Sequence, residues 1–172
     1  MGLYDAALVL RDYSRRNYAL ATTEAGPLPL YSTWRAVDAW GLNDAFIAHH
    51  GGITEEYLDR YRPEVIVFHA YFSPETPQEG RRVEARSLGP GWYRMVTTLK
   101  GYAERNGYVL AAVFGRNAWD THYYYVRGGF PDSAALVARL HSLEYYWDDE
   151  PTANFAPAPG MASLPTREAP SP

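Results

Sequence analysis

The sequence predicts an α/β fold of three layers, in which a mostly parallel sheet of about five strands carries helices on both faces. Short apolar segments with strand character alternate along the chain with segments in which apolar residues recur at helical spacing. The clearest strand, at residues 64–70, is apolar along almost its whole length. Such a run is typical of a strand that is covered on both faces of its sheet.

Composition limits the classes of protein that remain. With 172 residues, of which 47% are hydrophobic and 21% charged, the chain has the composition of a folded protein. We expect one α/β domain at residues 1–150 and a disordered tail at residues 151–172, which contains six Pro and five Ala. A net charge of −4 argues against nucleic-acid binding, and the absence of cysteine excludes disulfides and thiolate metal sites. The N-terminus lacks the pattern of a signal peptide, and no apolar run approaches the ~20 residues of a membrane span.

The first part of the chain predicts two strands between short helices. A first helix near the N-terminus is followed by a strand at residues 18–23, which ends in turn-forming Gly and Pro. A second strand is expected at residues 35–39. Asn43 or Asp44 can then cap a short helix at residues 45–49, because their side-chain oxygens accept hydrogen bonds from the first turn.

The middle of the chain predicts two further helices around the buried strand at residues 64–70. Thr54 is a good cap for a helix that Pro63 stops. A long polar stretch at residues 73–91 is interrupted by prolines, and loops of this length are usually functional or disordered. One face of an amphipathic helix that ends near Gly107 is marked by Trp92, Met95, Val96, Leu99, Tyr102 and Ala103.

The last part of the domain predicts two strands and a helix. The strands, at residues 108–114 and 122–126, are expected to pair antiparallel. Strand alternation sends Tyr123 and Tyr125 to one face of the sheet and Tyr124 to the other. The final helix, capped by Asp132 or Ser133, carries inward Leu136, Val137, Leu140 and Leu143.

Motifs for the common chemistries of α/β proteins are absent from the sequence. The first strand runs into residues 24–29, which match neither the G-x-G-x-x-G nor the G-x-x-x-x-G-K-[ST] phosphate loop. No G-x-S-x-G element presents a serine nucleophile. We therefore predict no catalytic residue, no metal ligand and no cofactor.

Two alternatives for the polar residues stay open. Because zinc-type spacings such as H-E-x-x-H are absent, a metal ion would need His69 or His122 to converge with Glu24, Asp38 or Asp44. His69 and Asp38 lie near the carboxyl ends of predicted strands, where side chains of an open sheet gather at one crevice. They could act there as an acid–base pair, or satisfy hydrogen bonds in a fixed network.

Aromatic residues are abundant, with 15 Tyr and five Trp. Core packing explains most of them. An exposed Trp92, Trp119 or Trp147 beside the long polar stretch would suit contact with a glycan or with a membrane interface, because each ring has an apolar face and a polar edge.

Two sequence elements carry a family resemblance. Residues 21–32 read ATTEAGPLPLYS, and residues 36–48 read AVDAWGLNDAFIA. Together with RPEVIV at residues 62–67, they resemble the E-x-G-x-L-P-Y-Y-S, V-x-D-x-x-G-L-x-D and P-D-V-I elements of bacterial polytopic membrane glycosyltransferases of the GT-C type. The resemblance is to the soluble C-terminal region of that group, which includes arabinofuranosyltransferase-like and mannosyltransferase-like proteins, and it covers residues 18–70.

This resemblance implies an extracytoplasmic domain beside a membrane bundle that transfers sugars from polyprenyl-phosphate donors. The acidic positions that match the family pattern are Glu24, Asp38 and Asp44. Those enzymes keep their catalytic acid in the membrane part, so no catalytic residue is carried over. The candidate ligand-binding residues are Glu24, Asp38, Asp44, His69, Trp92 and Trp119.

We therefore expect a non-catalytic accessory domain of cell-envelope polysaccharide synthesis, located outside the cytoplasm and associated with the membrane. Its partner would be a glycan, a polyprenyl-linked sugar or a membrane-embedded protein, and not a nucleic acid. The alternatives are a small α/β enzyme that acts through a His69/Asp38 crevice and a purely structural interaction domain.

Overall fold

A computed structural model describes residues 2–70, 90–115, 121–147 and 150–160. Within these residues the chain forms a mixed α/β fold around a five-stranded sheet. Its strands are β1 (Ala19–Thr22), β2 (Arg35–Asp38), β3 (Val65–Ala70), β4 (Tyr108–Gly115) and β5 (Thr121–Arg127). Their order across the sheet is β2-β1-β3-β5-β4.

Four of these five strands run in the same direction. β1 pairs in parallel with β2 on one side and with β3 on the other. β5 is antiparallel to both β3 and β4, so β4 points the same way as the first three strands. The prediction of a mostly parallel sheet of five strands, with an antiparallel pair from the last two, is therefore confirmed.

Six α-helices accompany the sheet in the described part of the chain. They are α1 (Gly2–Arg11), α2 (Pro27–Ser32), α3 (Ala45–His50), α4 (Glu55–Tyr61), α5 (Pro90–Arg105) and α6 (Ser133–His141). Asp44 and Thr54 cap α3 and α4 as predicted, each accepting a hydrogen bond from an amide of the first turn. The predicted inward face of α5 is buried except at Trp92, which is half-buried.

Helix α2 is the one α-helix among the described residues that the sequence did not predict. Its residues begin Pro-Leu-Pro, a pattern that is typical of a turn. Proline is nevertheless tolerated in the first turn of a helix, because the N–H groups of that turn have no acceptor within the helix. The buried Leu28 then holds the helix against the domain.

The core consists of two apolar clusters, and successive residues of β1, β3 and β5 alternate between them. Leu20 lies in one cluster and Ala21 in the other. As predicted, Tyr124 belongs to the first of these and Tyr123 and Tyr125 to the second. Helices α1, α2 and α6 contribute to the cluster of Leu20, whereas α3, α4 and α5 contribute to the cluster of Ala21.

A small hairpin follows α6. Strands β6 (Tyr145–Trp147) and β7 (Glu150–Thr152) pair antiparallel. Beyond them Asn154 bridges to Phe114 of β4, and Phe155 packs against the core. The predicted boundary at residue 151 therefore falls inside this hairpin, and the chain stays in contact with the domain as far as Ala156, which is buried. Residues 161–172 of the predicted tail lie outside the described residues.

Two further predictions concern segments that are wholly or mainly outside the described residues. The polar stretch at 73–91 is described only from Pro90, where α5 begins, and Trp119 is not among the described residues. In the residues that are described, no helix combines the length and the apolar character that crossing a bilayer requires.

Candidate functional site

The candidate site lies at the edge of the sheet where the parallel strands β1, β2 and β3 end, called here the carboxyl edge. Glu24 follows β1 by two residues, Asp38 is the last residue of β2, and His69 is the penultimate residue of β3. β5 runs the other way, so its second residue, His122, lies directly opposite His69 in the pairing register. Strand direction alone thus brings residues far apart in sequence to one place.

Glu24, His69 and His122 form a compact group, called here the His/Glu cluster. The Oε1 atom of Glu24 lies 3.4 Å from Nε2 of His122 and 3.9 Å from Nδ1 of His69. The two imidazole rings stack with their centroids 4.5 Å apart and their planes 10° from parallel. The side chain of His122 is only 3% exposed, whereas those of His69 and Glu24 reach solvent in part.

Neighbouring groups fix the orientation of this cluster. The Thr23 hydroxyl donates to Oε1 of Glu24 at 3.2 Å and accepts the backbone N–H of His69 at 2.9 Å. The backbone N–H of Glu24 donates to the hydroxyl of Thr22 at 2.9 Å. Both threonines are buried, so these bonds tie the carboxylate and the backbone of β3 to the end of β1.

The electrostatic environment keeps the Glu24 carboxyl ionised. Burial acts to raise its pKa, but hydrogen bonding and positive charge from His122, with smaller contributions from His69 and Thr23, outweigh burial and hold the pKa below its usual value. The cluster therefore presents one carboxylate against two imidazoles. Such a set can exchange protons, accept hydrogen bonds from a ligand or coordinate a cation.

Of the two alternatives for Asp38, its contacts are those of the fixed hydrogen-bond network. Its carboxylate accepts three backbone N–H groups of the loop after β2, from Trp40 at 3.1 Å, Gly41 at 3.2 Å and Asn43 at 2.7 Å. The carboxylate beside His69 is that of Glu24. Asp38 and Glu24 nevertheless line the same cavity of about 320 Å³, which opens between the ends of β1 and β2.

Asp44 also makes structural contacts. One of its carboxylate oxygens caps α3 by accepting the N–H of Ile47 at 3.1 Å, and the other accepts the hydroxyl of Tyr57 at 2.9 Å. The residue therefore joins α3 to α4. Neither Asp44 contact involves the His/Glu cluster.

A pair of tryptophans connects the cluster to a second concavity. The indole N–H of Trp92 donates to the carbonyl oxygen of His69 at 3.2 Å, and the Trp92 ring lies 5.1 Å from the ring of Trp40. Trp40 is 43% exposed and borders a cavity of about 650 Å³ between α3, the turn at Gly51 and Gly52, and α5. We call this cavity the α3–α5 groove.

Sequence reasoning missed one residue of this region and left the place of another open. The sequence names His122 as a residue that could converge with Glu24, and its position beside His69 follows once β3 and β5 pair antiparallel in this register. The residue that was missed is Trp40, which follows the predicted strand at residues 35–39 and is not among the predicted site residues. Its exposure follows from the three amide contacts of Asp38, which fold the residues after β2 into a loop.

Comparison with known proteins places the chain in a family. No curated protein and no solved structure matches it. A family model does match, over residues 2–128, and this range contains the whole His/Glu cluster and both tryptophans. Since the match covers well over half of the 172 residues, the chain belongs to the family described as "Domain of unknown function (DUF8728)".

Proposed function

We propose that this chain is a non-catalytic accessory domain that binds a glycan in the α3–α5 groove. The observation that carries the proposal is Trp40, a large aromatic side chain that is 43% exposed at the border of a cavity of about 650 Å³. Sugars stack their apolar C–H faces on such rings. The exposed Tyr93 on α5 lines the same groove and supplies a second ring.

Polar groups in the groove complement these rings. Glu55 of α4 and Arg94, Thr98 and Arg105 of α5 all line it. Arg105 forms an ion pair with Glu55. Charged and hydroxyl groups beside an aromatic ring can hydrogen-bond the hydroxyls of a sugar whose face rests on that ring.

Titration with cell-envelope oligosaccharides, such as arabinan and mannan fragments, tests this proposal. We expect Trp40→Ala to weaken binding by about 5- to 150-fold, since loss of a stacking ring removes about 1–3 kcal/mol in comparable contacts. Tyr4→Ala is the matched control, because Tyr4 is equally exposed at 43% and lies on α1, away from the groove. Equal losses in the two variants, or no saturable binding to any fragment, would contradict the proposal.

The proposal extends to a location and a partner. On the basis of the resemblance over residues 18–70, we place the domain outside the cytoplasm, next to a membrane-embedded glycosyltransferase whose polyprenyl-linked sugar or glycan it helps to position. Co-purification with such an enzyme expressed from a neighbouring gene tests this part. We expect the enzyme to be recovered with the wild-type domain. We expect it to be lost with a variant in which the exposed Trp40 and Tyr93 are both replaced by alanine.

We also infer that the helices cover both faces of the sheet, in three layers. The division of the core into two clusters, with α1, α2 and α6 in one and α3, α4 and α5 in the other, supports this arrangement. Hydrogen exchange offers a test, because amides of β1 and β3 covered on both faces should be among the slowest to exchange.

A second candidate function is acid–base catalysis at the carboxyl edge. It is favoured by the 3.4 Å approach of Glu24 to His122, which allows a proton to pass between a carboxylate and an imidazole. In this candidate Glu24, and not Asp38, is the carboxylate of the acid–base pair. Turnover of chromogenic glycosides or esters that His69→Ala abolishes would support this candidate, and unchanged turnover in that variant would exclude it.

A further inference from the structure

We infer that the His/Glu cluster binds one divalent transition-metal ion, of which Zn²⁺ is the natural example, through Glu24, His69 and His122. One potential ligand atom from each residue lies within 4.8 Å of the other two. This inference goes beyond glycan binding and does not depend on it, because the two concern different parts of the molecule.

The distances in the cluster are close to those of a coordination sphere. With metal–ligand bonds of about 2.1 Å in a tetrahedral site, neighbouring ligand atoms lie about 3.4 Å apart. Oε1 of Glu24 is 3.4 Å from Nε2 of His122 and 3.9 Å from Nδ1 of His69. The separation from Glu24 to His69 is longer than the tetrahedral value, and the third separation, between the two histidine nitrogens, lies within 4.8 Å. Rotation of the His69 side chain would shorten both.

The donor types select the class of ion. Two imidazole nitrogens and one carboxylate oxygen suit Zn²⁺, Fe²⁺ and Co²⁺, whereas Mg²⁺ and Ca²⁺ prefer oxygen donors alone. Three protein ligands also leave at least one coordination position open, which is the pattern of reactive rather than purely structural metal sites. The cavity of about 320 Å³ that Glu24 lines admits water or a small ligand to the Glu24 side of the cluster.

The backbone brings the three residues together before any ion arrives, and the two imidazole rings, which stack 10° from parallel, turn to direct a nitrogen at the ion. His69 and His122 are directly paired across β3 and β5, so the backbone fixes their separation. The Thr23 hydroxyl orients Glu24 and at the same time holds the backbone of His69. Outer contacts of this kind are the ones that tune metal affinity in known sites.

The metal-binding experiment uses the full chain, stripped with a chelator and titrated with Zn²⁺ and with Co²⁺ in the absence of any glycan. We expect calorimetry to give one ion per chain. Metal at about 100 times its Kd should raise Tm by about 5–10 °C, since an ion that binds only the folded state stabilises it by mass action. Co²⁺ absorption should report a site with mixed nitrogen and oxygen ligands.

Variants decide whether the ion is bound at the cluster. Glu24→Gln keeps the shape of the side chain and removes its charge, and His69→Asn removes one imidazole. Each variant should weaken metal binding by more than about 100-fold, which is more than the loss of an outer-shell contact costs. His49→Ala is the matched control, because His49 is an exposed histidine on α3 outside the cluster. Absence of saturable binding, binding that survives Glu24→Gln, or binding that is lost in His49→Ala would overturn the inference.

Both cluster variants avoid His122, whose side chain is almost completely buried. Circular dichroism and urea denaturation should show that Glu24→Gln is folded. Glycan titration of the same variant separates the two proposals, because a failure of metal binding with intact glycan binding affects only this inference.

Discussion

The α3–α5 groove and the His/Glu cluster are two candidate sites built in opposite ways. The groove is open, lies largely between helices, and presents exposed rings of Trp40 and Tyr93. The cluster is small, lies mostly on strands, and holds its three titratable side chains at low exposure. Exposed rings suit a large and weakly held ligand, whereas clustered donors of low exposure suit a small ion held tightly. Trp92 contacts His69 of the cluster and Trp40 of the groove.

The largest effect on stability is expected at a tryptophan that belongs to neither site. Trp34 is only 5% exposed, and its indole N–H donates to the carbonyl oxygen of Leu10 at 2.7 Å. Trp34→Ala should lower the free energy of unfolding by about 3–5 kcal/mol, whereas Trp40→Ala should lower it by less than about 1.5 kcal/mol. Urea denaturation measures both. Similar losses would mean that Trp40 is a core residue and not a ligand platform.

Asp38 should give the next largest effect, because three loop amides depend on it. Asp38→Ala should lower the free energy of unfolding by about 2–3 kcal/mol, the scale of hydrogen bonds to a charged group. The loop carries Trp40, so glycan affinity should fall as well, while Zn²⁺ affinity should stay within about twofold. A loss of Zn²⁺ binding in this variant would place Asp38 among the ligands.

Asp44 should matter less. It caps α3 and accepts the hydroxyl of Tyr57, and Asp44→Ala should therefore cost about 1–2 kcal/mol of unfolding free energy. Glu144→Ala is the control, because Glu144 is an exposed acidic residue in the segment before β6. Thermal denaturation that finds no difference between the two variants would contradict the capping role.

The smallest effect is expected from Tyr102, which ties α5 to α4 through one hydrogen bond that its hydroxyl donates to Asp59 at 2.9 Å. Burial, followed by the hydrogen bond and the charge of Asp59, raises the pKa of Tyr102 from 10.0 to about 12. A raised pKa favours the protonated form in the folded state, so this contribution is complete below pH 10 and is lost as the pH rises through 12.

Tyr102→Phe should therefore flatten the alkaline loss of stability, which denaturant curves between pH 9 and pH 12 would measure. Neither glycan nor metal affinity should change at neutral pH, because Tyr102 lines neither site. If the free energy of unfolding of the variant fell with rising pH as it does in the wild type, the titration of Tyr102 would not contribute to the alkaline loss of stability.

Much of the fold could be predicted because its signals are local. The apolar run of β3, the helical spacing in α5 and the capping residues Asp44 and Thr54 each lie within a few residues of the element that they define. α2 and the β6–β7 hairpin were missed because both contain proline. Proline in a sequence usually indicates the end of a helix or strand. Here it is accommodated in the first turn of α2 and in the short strand β7.

The candidate site could be predicted only in part. The sequence indicates that His69 ends a strand, and the family resemblance draws attention to Glu24. The strand order β2-β1-β3 and the hydrogen bonds of Asp38 in its loop decide that Glu24, and not Asp38, lies beside His69. Neither feature can be inferred from the spacing of residues in the sequence. The pairing of His69 with His122 depends in the same way on the register between β3 and β5.

A double titration followed by NMR tests the central claim, that the chain binds a glycan in the groove and a metal ion at the cluster. The indole N–H of Trp40 reports on the groove and the imidazole of His122 reports on the cluster. We expect cell-envelope oligosaccharides to shift the Trp40 signal and leave His122 unchanged, and Zn²⁺ to do the reverse. If both ligands shifted the same signals, or if neither shifted any signal of a well-dispersed spectrum, the assignment of two separate sites would be contradicted.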